Sequence, residues 1–248
     1  MKILGIIPAR YASTRFPGKP LALIAGKTMI QRVYKQVLKA KCLSNIIVAT
    51  DDERIFDHVV SFGGQAVMTS KHHSTGTERC LEASKKLSPH NEFDVIINIQ
   101  GDEPLINPIQ IDKLAACFKI NETQIATLGK ALTEDEDKNN PNIVKLVTDK
   151  AGKALYFSRY PIPYIREKEP DGMVFYKHLG LYAFNKGVLD DICNLKPTLL
   201  EKAESLEQLR WLENGYCIRV VFSDSESLAV DTPEDILKVE NFIKASKL

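Results

Sequence analysis

The sequence lacks the features of a membrane protein or a nucleic-acid binder. Its longest apolar runs are short segments such as residues 3–7 and 95–99, whereas a membrane-spanning helix needs about 20 apolar residues. The N-terminus enters a predicted strand without a signal-peptide pattern, so we expect a cytoplasmic protein. The 33 Lys and Arg nearly balance the 32 Asp and Glu, giving a net charge of +1. We therefore expect neither a nucleic acid nor a membrane as a partner.

Several common cofactor and nucleotide motifs are also absent. No two of the five cysteines are close enough in sequence to form a CxxC metal or redox pair, and we interpret them as small buried hydrophobic residues. Neither the GxxxxGK[ST] phosphate loop nor the GxGxxG dinucleotide motif occurs. Any phosphate site must therefore be built differently.

What the sequence does contain is an alternation of buried strands and amphipathic helices. Residues 2–8, 45–50 and 93–100 are nearly continuous apolar runs, which is typical of parallel strands covered on both faces. Segments with apolar residues at helical spacing lie between and after them, at 29–41, 52–62 and 77–87. This order predicts an α/β fold with a doubly wound, mostly parallel sheet.

The pattern changes between about residues 132 and 184. Strand-like segments at 142–148, 154–157 and 174–184 follow one another without a clear helix between them. We predict a single domain spanning 1–248 with a small antiparallel β insertion at roughly 132–184, whose exposed edge could carry a dimer contact. The α/β pattern resumes with a helix at 205–214, a strand at 217–222 and a last helix after Pro233.

In such folds the ligand lies outside the carboxyl ends of the strands, and the loop after the first strand is cationic. Arg10, Arg15 and Lys19 alternate there with small residues, including Ser13 and Gly18. Small residues let backbone N–H groups approach an anion, and the cations offset its charge. A solvated surface loop would have a similar composition, but the position directly after a buried strand favours a triphosphate site.

Two acidic segments are candidates for a metal site. Asp102 and Glu103 follow the third strand, where a carboxylate can hold Mg²⁺, although a plain turn explains the same residue types. Successive side chains on an extended segment point opposite ways, so we do not expect both to bind. Asp231 precedes a helix start with Thr232 as N-cap and Pro233 at the first position. It is either a second metal carboxylate or only a neighbour of that cap.

A third segment, Ser74 to Arg79, opens a predicted helix. Thr75 and Glu78 have the spacing of a capping box, and Gly76 would let a planar base approach the free N–H groups of the first turn. A plain helix cap is an equally good explanation of these residues.

Taken together, these segments closely resemble the 3-deoxy-manno-octulosonate (KDO) cytidylyltransferase family, the bacterial CMP-KDO synthetases. The strings that carry the resemblance are IIPARYASTRFPGKPL, IIVATDDERI, STGTER, NIQGDEP, ALYFSRYPIP, KHLGLYAF, LEQLRWLENG and VDTPEDI. The resemblance implies a fold of the nucleotide-diphospho-sugar transferase type, a homodimer, Mg²⁺ as cofactor, CTP and KDO as substrates, and a step in lipopolysaccharide biosynthesis.

The family's site residues carry over to matching positions of this sequence. The CTP-binding set implied by the resemblance is Arg10, Ser13, Arg15, Lys19, Ser74, Gly76, Thr77 and Arg79. The metal carboxylates are Asp102 and Asp231, which together with Arg10 and Lys19 form the catalytic set. The sugar-binding set is Gln100, Arg159, His178, Tyr182 and Glu207.

Two departures from the family pattern and two rival functions accompany this prediction. The segment before GTER reads HHST where the family more often has DHxS, so no role is assigned to His72 and His73. The stretch between Arg166 and Met173 is shortened and rich in charge.

The rival functions are a cytidylyltransferase for another acidic sugar, such as an N-acylneuraminate, and a noncatalytic nucleotide-binding protein that kept the fold. The strings STRFPGKP and QGDEP favour KDO over the first, and Lys19, Asp102 and Asp231 argue against the second.

Overall fold

The computed structural model describes residues 1–12, 16–87, 92–120 and 122–246. The strands in chain order are β1 (Ile3–Ala9), β2 (Leu23–Ile24), β3 (Lys27–Thr28), β4 (Asn45–Thr50), β5 (Ala66–Met68), β6 (Val95–Asn98), β7 (Ile125–Ala131), β8 (Lys145–Thr148), β9 (Ala154–Ser158), β10 (Tyr176–Asn185) and β11 (Ile218–Phe222). The α-helices are α1 (Met29–Val37), α2 (Glu53–Ser61), α3 (Gly76–Leu87), α4 (Pro108–Cys117), α5 (Lys186–Cys193), α6 (Leu199–Glu204), α7 (Glu207–Glu213) and α8 (Pro233–Ser246). The chain divides into two compact units, Met1–Ala115 with Ser227–Leu248, and Ala116–Glu226.

The first unit is built on a parallel sheet in the order β5, β4, β1, β6. The strands β1, β4 and β6 are buried over almost their whole length, as their continuous apolar sequences predict. Helix α1 buries a stripe that includes Met29, Val33 and Val37, which is the amphipathic pattern of its sequence. The predicted α/β fold with a mostly parallel sheet is confirmed.

The parallel strands bring their carboxyl ends to one edge of this sheet. Ala9 at the end of β1 lies opposite Thr50 at the end of β4, and Asn98 at the end of β6 pairs with Ile6 of β1. The segment before α8 returns to the same edge, because the Val230 N–H donates a hydrogen bond to the Asp102 carbonyl at 2.9 Å. The loops after β1 and β6 and the start of α8 therefore meet.

The second unit contains the antiparallel strands expected from the sequence. Strand β10 pairs antiparallel with β7 and β8, β8 pairs antiparallel with β9, and β11 runs parallel to β7. The sheet is wider than the predicted insertion at 132–184, since β7 and β11 lie outside that range. Strand β8 begins at Lys145 and not at 142, because the Ile143 N–H closes a turn onto the Asn140 carbonyl at 3.1 Å. The domain boundaries themselves stay a prediction.

Among the helices of the described residues, none combines the length and the apolar character needed to cross a membrane.

Candidate active site

A cavity of about 450 Å³ opens at the carboxyl edge of the parallel sheet in the first unit. Its lining comes from the loops after β1 and β6 and from the segments that begin α3 and α8. The residues that line it are Pro8, Ala9, Arg10, Ala12, Lys19, Pro20, Gly76, Arg79, Gln100, Gly101, Asp102 and Asp231. The structure thus brings together predicted site residues from all four segments. The predicted residues Ser13 and Arg15 lie outside the described residues.

Lys19 is at the centre of the charged groups in this cavity. Its ammonium Nζ lies 2.7 Å from Asp102 Oδ2 and 3.8 Å from Asp231 Oδ1, and it donates a hydrogen bond to the Val230 carbonyl at 3.0 Å. The three oxygen atoms come from two segments far apart in sequence, the loop after β6 and the adjacent residues Val230 and Asp231 before α8. The lysine side chain is only 17% exposed, so its charge acts in a partly desolvated site, where ion pairs are stronger than in water.

The local backbone explains why Lys19 reaches this position. Gly18 has φ +72°, a left-handed conformation that costs a residue with a Cβ about 1–2 kcal/mol. Its N–H donates to the Tyr11 carbonyl at 2.9 Å, and a short 3₁₀ turn, Lys19–Leu21, starts immediately after it. A Cβ at Gly18 would lie 3.2 Å from the Tyr11 ring. The Arg54 guanidinium packs over the Tyr11 ring, 3.3 Å from the ring centroid.

Arg79 is held at the cavity by a buried ion pair. Its guanidinium, 1% exposed, donates to Asp51 Oδ2 at 3.1 Å and to Thr69 Oγ1 at 2.6 Å. Asp51 is outside the set predicted from the sequence. The available signal was its position, since it is the first residue after the buried strand β4.

The start of α3 has the capping box that the sequence predicts. The Glu78 N–H donates to Thr75 Oγ1 at 3.2 Å, and Glu78 Oε2 accepts the Thr75 N–H at 3.4 Å. The same carboxylate accepts the hydroxyl of Ser74 at 3.0 Å, while Thr77 is buried in the first turn. Gly76 lines the cavity. Of the predicted base-side residues, Gly76 and Arg79 therefore face the cavity, whereas the Ser74 hydroxyl contacts Glu78.

His73, which has no predicted role, lies beside two carboxylates of α3. Its Nε2 is in hydrogen-bond contact with Glu82, and its Nδ1 lies 3.9 Å from Glu78. The contact ties the segment before α3 to the helix itself. His72, in contrast, is exposed.

The adjacent acidic residues Asp102 and Glu103 contact different partners, as expected for successive side chains on an extended segment. Asp102 faces Lys19, whereas Glu103 accepts a hydrogen bond from the Ser227 hydroxyl. At the start of α8, Asp235 Oδ2 accepts the N–H groups of Asp231 and Thr232 at 3.1 and 3.0 Å. The backbone of Asp231 thus belongs to the helix cap while its carboxylate faces Lys19. Asp231 can therefore be a neighbour of the helix cap and also offer its carboxylate to a metal.

The oxygen atoms around Lys19 fit a hard divalent metal ion. Carboxylate and carbonyl oxygens are the ligands such ions prefer, and Asp102 and Asp231 approach one point from two loops. Among the described residues no group of three or more His, Cys, Asp or Glu is arranged to hold a metal. Mg²⁺ is commonly held by one or two carboxylates together with substrate phosphates and water, so the pair is sufficient for a metal that binds with a nucleotide.

Comparison with known proteins assigns the family. A family model described as cytidylyltransferase matches residues 4–227. The chain is 54% identical over 251 residues to the 3-deoxy-manno-octulosonate cytidylyltransferase of Bacteroides thetaiotaomicron, covering 98% of this chain and 99% of that protein. The chain belongs to the 3-deoxy-manno-octulosonate cytidylyltransferase family. The predicted enzyme class, a nucleotidyltransferase, is confirmed.

Other relatives of this cytidylyltransferase agree over its full length. The enzyme of the same description from Fusobacterium nucleatum is 49% identical over 249 residues, covering 100% of this chain and 99% of that protein. Among solved structures, CMP:2-keto-3-deoxy-manno-octonic acid synthetase complexed with CTP superimposes with a TM-score of 0.92 at 40% identity, covering 100% of both chains.

In the second unit of this cytidylyltransferase, His178 on β10 is partly buried and packs against two aromatic rings. The ring centroids of Phe157 and Tyr182 lie 5.1 and 5.2 Å from that of His178. Burial lowers the pKa of His178 to about 3, so the ring is neutral at physiological pH. The Thr127 hydroxyl donates to the Leu181 carbonyl at 2.9 Å and lies 2.9 Å from His178 Nε2. We infer that Nε2 carries the hydrogen of the neutral ring and donates a hydrogen bond to Thr127 Oγ1.

The remaining predicted sugar-side residues of the second unit lie on β10, after β9 and at the start of α7. Burial raises the pKa of Tyr182 well above its ordinary value. Glu207 is the first residue of α7. The guanidinium of Arg159 donates to the main-chain carbonyls of Glu204 at 2.7 Å, Pro141 at 2.9 Å and Ser205 at 3.3 Å. In this structure Arg159 joins main-chain segments, and its role toward a sugar stays a prediction.

Proposed function

We propose that this protein transfers CMP from CTP to the anomeric hydroxyl of KDO, giving CMP-KDO and pyrophosphate. The observation that carries the proposal is the Lys19 ammonium facing Asp102 and Asp231 in a cavity that Arg10 and Arg79 also line. Cations for a phosphate chain and carboxylates for a metal are the two parts that nucleotidyl transfer needs. The descriptions of the relatives, and of the related synthetase complexed with CTP, support CTP and KDO as the substrates.

The nucleotide is proposed to bind along the carboxyl edge of the parallel sheet. Arg10, Arg15 and Lys19 neutralise the triphosphate through charge-assisted hydrogen bonds, and the hydroxyl of Ser13 in the same loop donates a further hydrogen bond to it. The cytosine is proposed to lie at the start of α3, against the set Ser74, Gly76, Thr77 and Arg79. Gly76 is favourable there, because the absence of a side chain leaves the first turn accessible to a planar base.

Asp102 and Asp231 are proposed to hold Mg²⁺. When bound, the metal supplies positive charge at the phosphates and orients them for displacement. The protein's own contribution is to hold both carboxylates at one position, Asp102 through the loop after β6 and Asp231 through the capped start of α8.

The chemical step is proposed as an in-line displacement. The anomeric oxygen of KDO forms a bond to the α-phosphorus while the bond from that phosphorus to the bridging oxygen breaks. The proton of the anomeric hydroxyl passes to solvent, and pyrophosphate leaves. Phosphoryl transfer depends on positioning and charge stabilisation, so no covalent protein nucleophile is required. The residues proposed to orient the sugar are Gln100, Arg159, His178, Tyr182 and Glu207. A neutral His178 is suited to this role because, with Nε2 donating to Thr127, its Nδ1 can accept a hydrogen bond from a sugar hydroxyl.

We further propose that the protein acts in the cytoplasm, in lipopolysaccharide biosynthesis, as a homodimer formed through the inserted β segment at about 132–184. Exposed apolar side chains in that segment support the dimer, among them Leu155, Tyr160 and Tyr164.

A pyrophosphate-release assay tests the function directly. The protein is incubated with CTP and Mg²⁺, together with either KDO or N-acetylneuraminate, and UTP replaces CTP as the control for the base. We expect release with CTP and KDO alone. Absence of release with either sugar would contradict the enzyme assignment, and release only with N-acetylneuraminate would replace KDO with another acidic sugar.

A further inference from the structure

The contacts of Lys19 are those of a bound cation more than those of a free phosphate-binding lysine. Its ammonium has Asp102 Oδ2 at 2.7 Å, the Val230 carbonyl at 3.0 Å and Asp231 Oδ1 at 3.8 Å. Two of these groups are carboxylates, and the third is the carbonyl of the residue before Asp231. A lysine that only binds a phosphate chain does not need two carboxylates and a carbonyl around its ammonium group.

The same oxygen atoms are the ones available to a metal. Among the described residues that line the cavity, the carboxylates are Asp102 and Asp231, and both already lie near a single positive charge, the Lys19 ammonium. Two cations held by the same carboxylates repel each other, and the repulsion is several times stronger in a partly buried site than in water. A divalent ion and the Lys19 ammonium therefore cannot share these carboxylates without a large penalty.

We propose that the Lys19 ammonium competes with the divalent metal for Asp102 and Asp231, and must leave these carboxylates before the metal can bind. The proposal rests on the proposed function in taking the two carboxylates as the metal ligands. It follows that the metal enters together with the nucleotide, because a triphosphate offers Lys19 an alternative partner of higher negative charge. Lys19 thereby ties metal binding to CTP binding, in addition to neutralising phosphate.

The test measures metal binding without nucleotide or sugar. Mn²⁺ is titrated into the wild-type protein and Lys19→Met, and free Mn²⁺ is followed by its electron paramagnetic resonance signal. Removing the competing charge should lower the Kd for Mn²⁺ at least about tenfold. Mg²⁺ should also raise the Tm of Lys19→Met more than that of the wild type, because a ligand stabilises the state that binds it. Lys19→Gln, which keeps a donor for the Val230 carbonyl, gives the same comparison if Lys19→Met folds poorly.

Two controls separate competition from a general electrostatic effect. Arg10→Met removes a positive charge from the same cavity, but Arg10 is exposed, so water and salt screen its charge and the Kd should change by less than about threefold. Asp231→Asn combined with Lys19→Met should abolish most of the gain in affinity. Unchanged or weaker Mn²⁺ binding by both Lys19 variants would overturn the proposal, as would an equal gain from Arg10→Met. Since no assay contains CTP or KDO, these outcomes are independent of the pyrophosphate assay.

Discussion

Asp231 combines two roles at the residue scale, because its N–H belongs to the cap of α8 and its carboxylate faces Lys19. The side chain is 49% exposed, so its removal should affect folding little. We predict that Asp231→Asn keeps the Tm of the wild type but lowers kcat/KM about 100-fold or more, which corresponds to about 2.7 kcal/mol of transition-state stabilisation.

Pyrophosphate release and thermal melting of the same preparations check this prediction. Asp57→Asn is the matched control, because Asp57 is an exposed aspartate of the same unit on α2. Turnover close to normal in Asp231→Asn would leave Asp231 as a neighbour of the helix cap only.

His178 should make the stability of the protein depend on pH. Its pKa of about 3 in the folded state lies below the ordinary value near 6.5, so the unfolded chain binds a proton first as the pH falls. The folded state therefore loses stability below about pH 6.5, by about 2 kcal/mol between pH 7 and pH 5. In His178→Gln the loss of unfolding free energy between pH 7 and pH 5 should be smaller than in the wild type by about 2 kcal/mol.

Urea unfolding at the two pH values measures the difference. Thr127→Val is the control, since it removes the hydrogen-bond partner but leaves the imidazole packed against Phe157 and Tyr182. It should lower the free energy of unfolding at both pH values and keep the wild-type pH dependence. An identical pH dependence in His178→Gln and the wild type would show that burial does not suppress protonation of His178.

At the scale of elements, the turn before Lys19 depends on a glycine for two separate reasons. Gly18 and Gly26 both have positive φ, of 72° and 77°, but a Cβ at Gly18 would meet the Tyr11 ring at 3.2 Å, whereas nothing lies within 4 Å of a Cβ at Gly26. Both alanine variants should therefore lose about 1 kcal/mol of stability from the left-handed backbone. Only Gly18→Ala should also displace Lys19.

We accordingly predict that Gly18→Ala raises the KM for CTP about tenfold or more, while Gly26→Ala leaves it nearly unchanged. Urea unfolding and initial rates at varied CTP concentration separate the two effects. Equal KM values for the two variants would mean that the contact with Tyr11 does not set the position of the loop.

The elements predicted correctly from the sequence are those whose pattern is local. Strand β4 was predicted with its observed bounds, Asn45–Thr50, because both of its faces are covered and its sequence is continuously apolar. Strand β7 was missed because Gly129 and Lys130 interrupt its apolar run. A Cβ at Gly129 would lie 3.1 Å from the side chains of Val220 and Phe222 on β11, a partner far away in sequence.

The distinction between local sequence patterns and contacts distant in sequence also applies to the site. The loops after β1 and β6 were recognised because they follow buried strands. The pairing of Arg79 with Asp51, and that of His178 with Thr127, join segments that no periodicity connects. The carbonyl contacts of Arg159 also depend on the backbone course of a distant segment, which residue types alone do not encode.

At the scale of the whole molecule, one edge of the sheet is the place where we expect the predicted dimer to form. Strand β9 pairs only with β8 among the described strands, and the residue before it, Lys153, forms an isolated bridge with Arg219. Strand β9 therefore lies at an edge of the sheet. Leu155 on this strand is 61% exposed, and Tyr160 and Tyr164 after it are 71% and 78% exposed. Exposed edges with large apolar side chains usually pair with another chain, and a second copy is the partner that symmetric assembly favours.

We therefore predict that Leu155→Lys converts the dimer to a monomer, because a lysine on the edge strand opposes pairing and its charge loses solvation in an interface. Leu237→Lys is the matched control, since Leu237 lies on α8 with a similar exposure of 63%. Sedimentation velocity should give twice the mass of one chain for the wild type and for Leu237→Lys, but the mass of a single chain for Leu155→Lys. A monomeric wild type would contradict the dimer itself. A dimeric Leu155→Lys would place the interface away from β9.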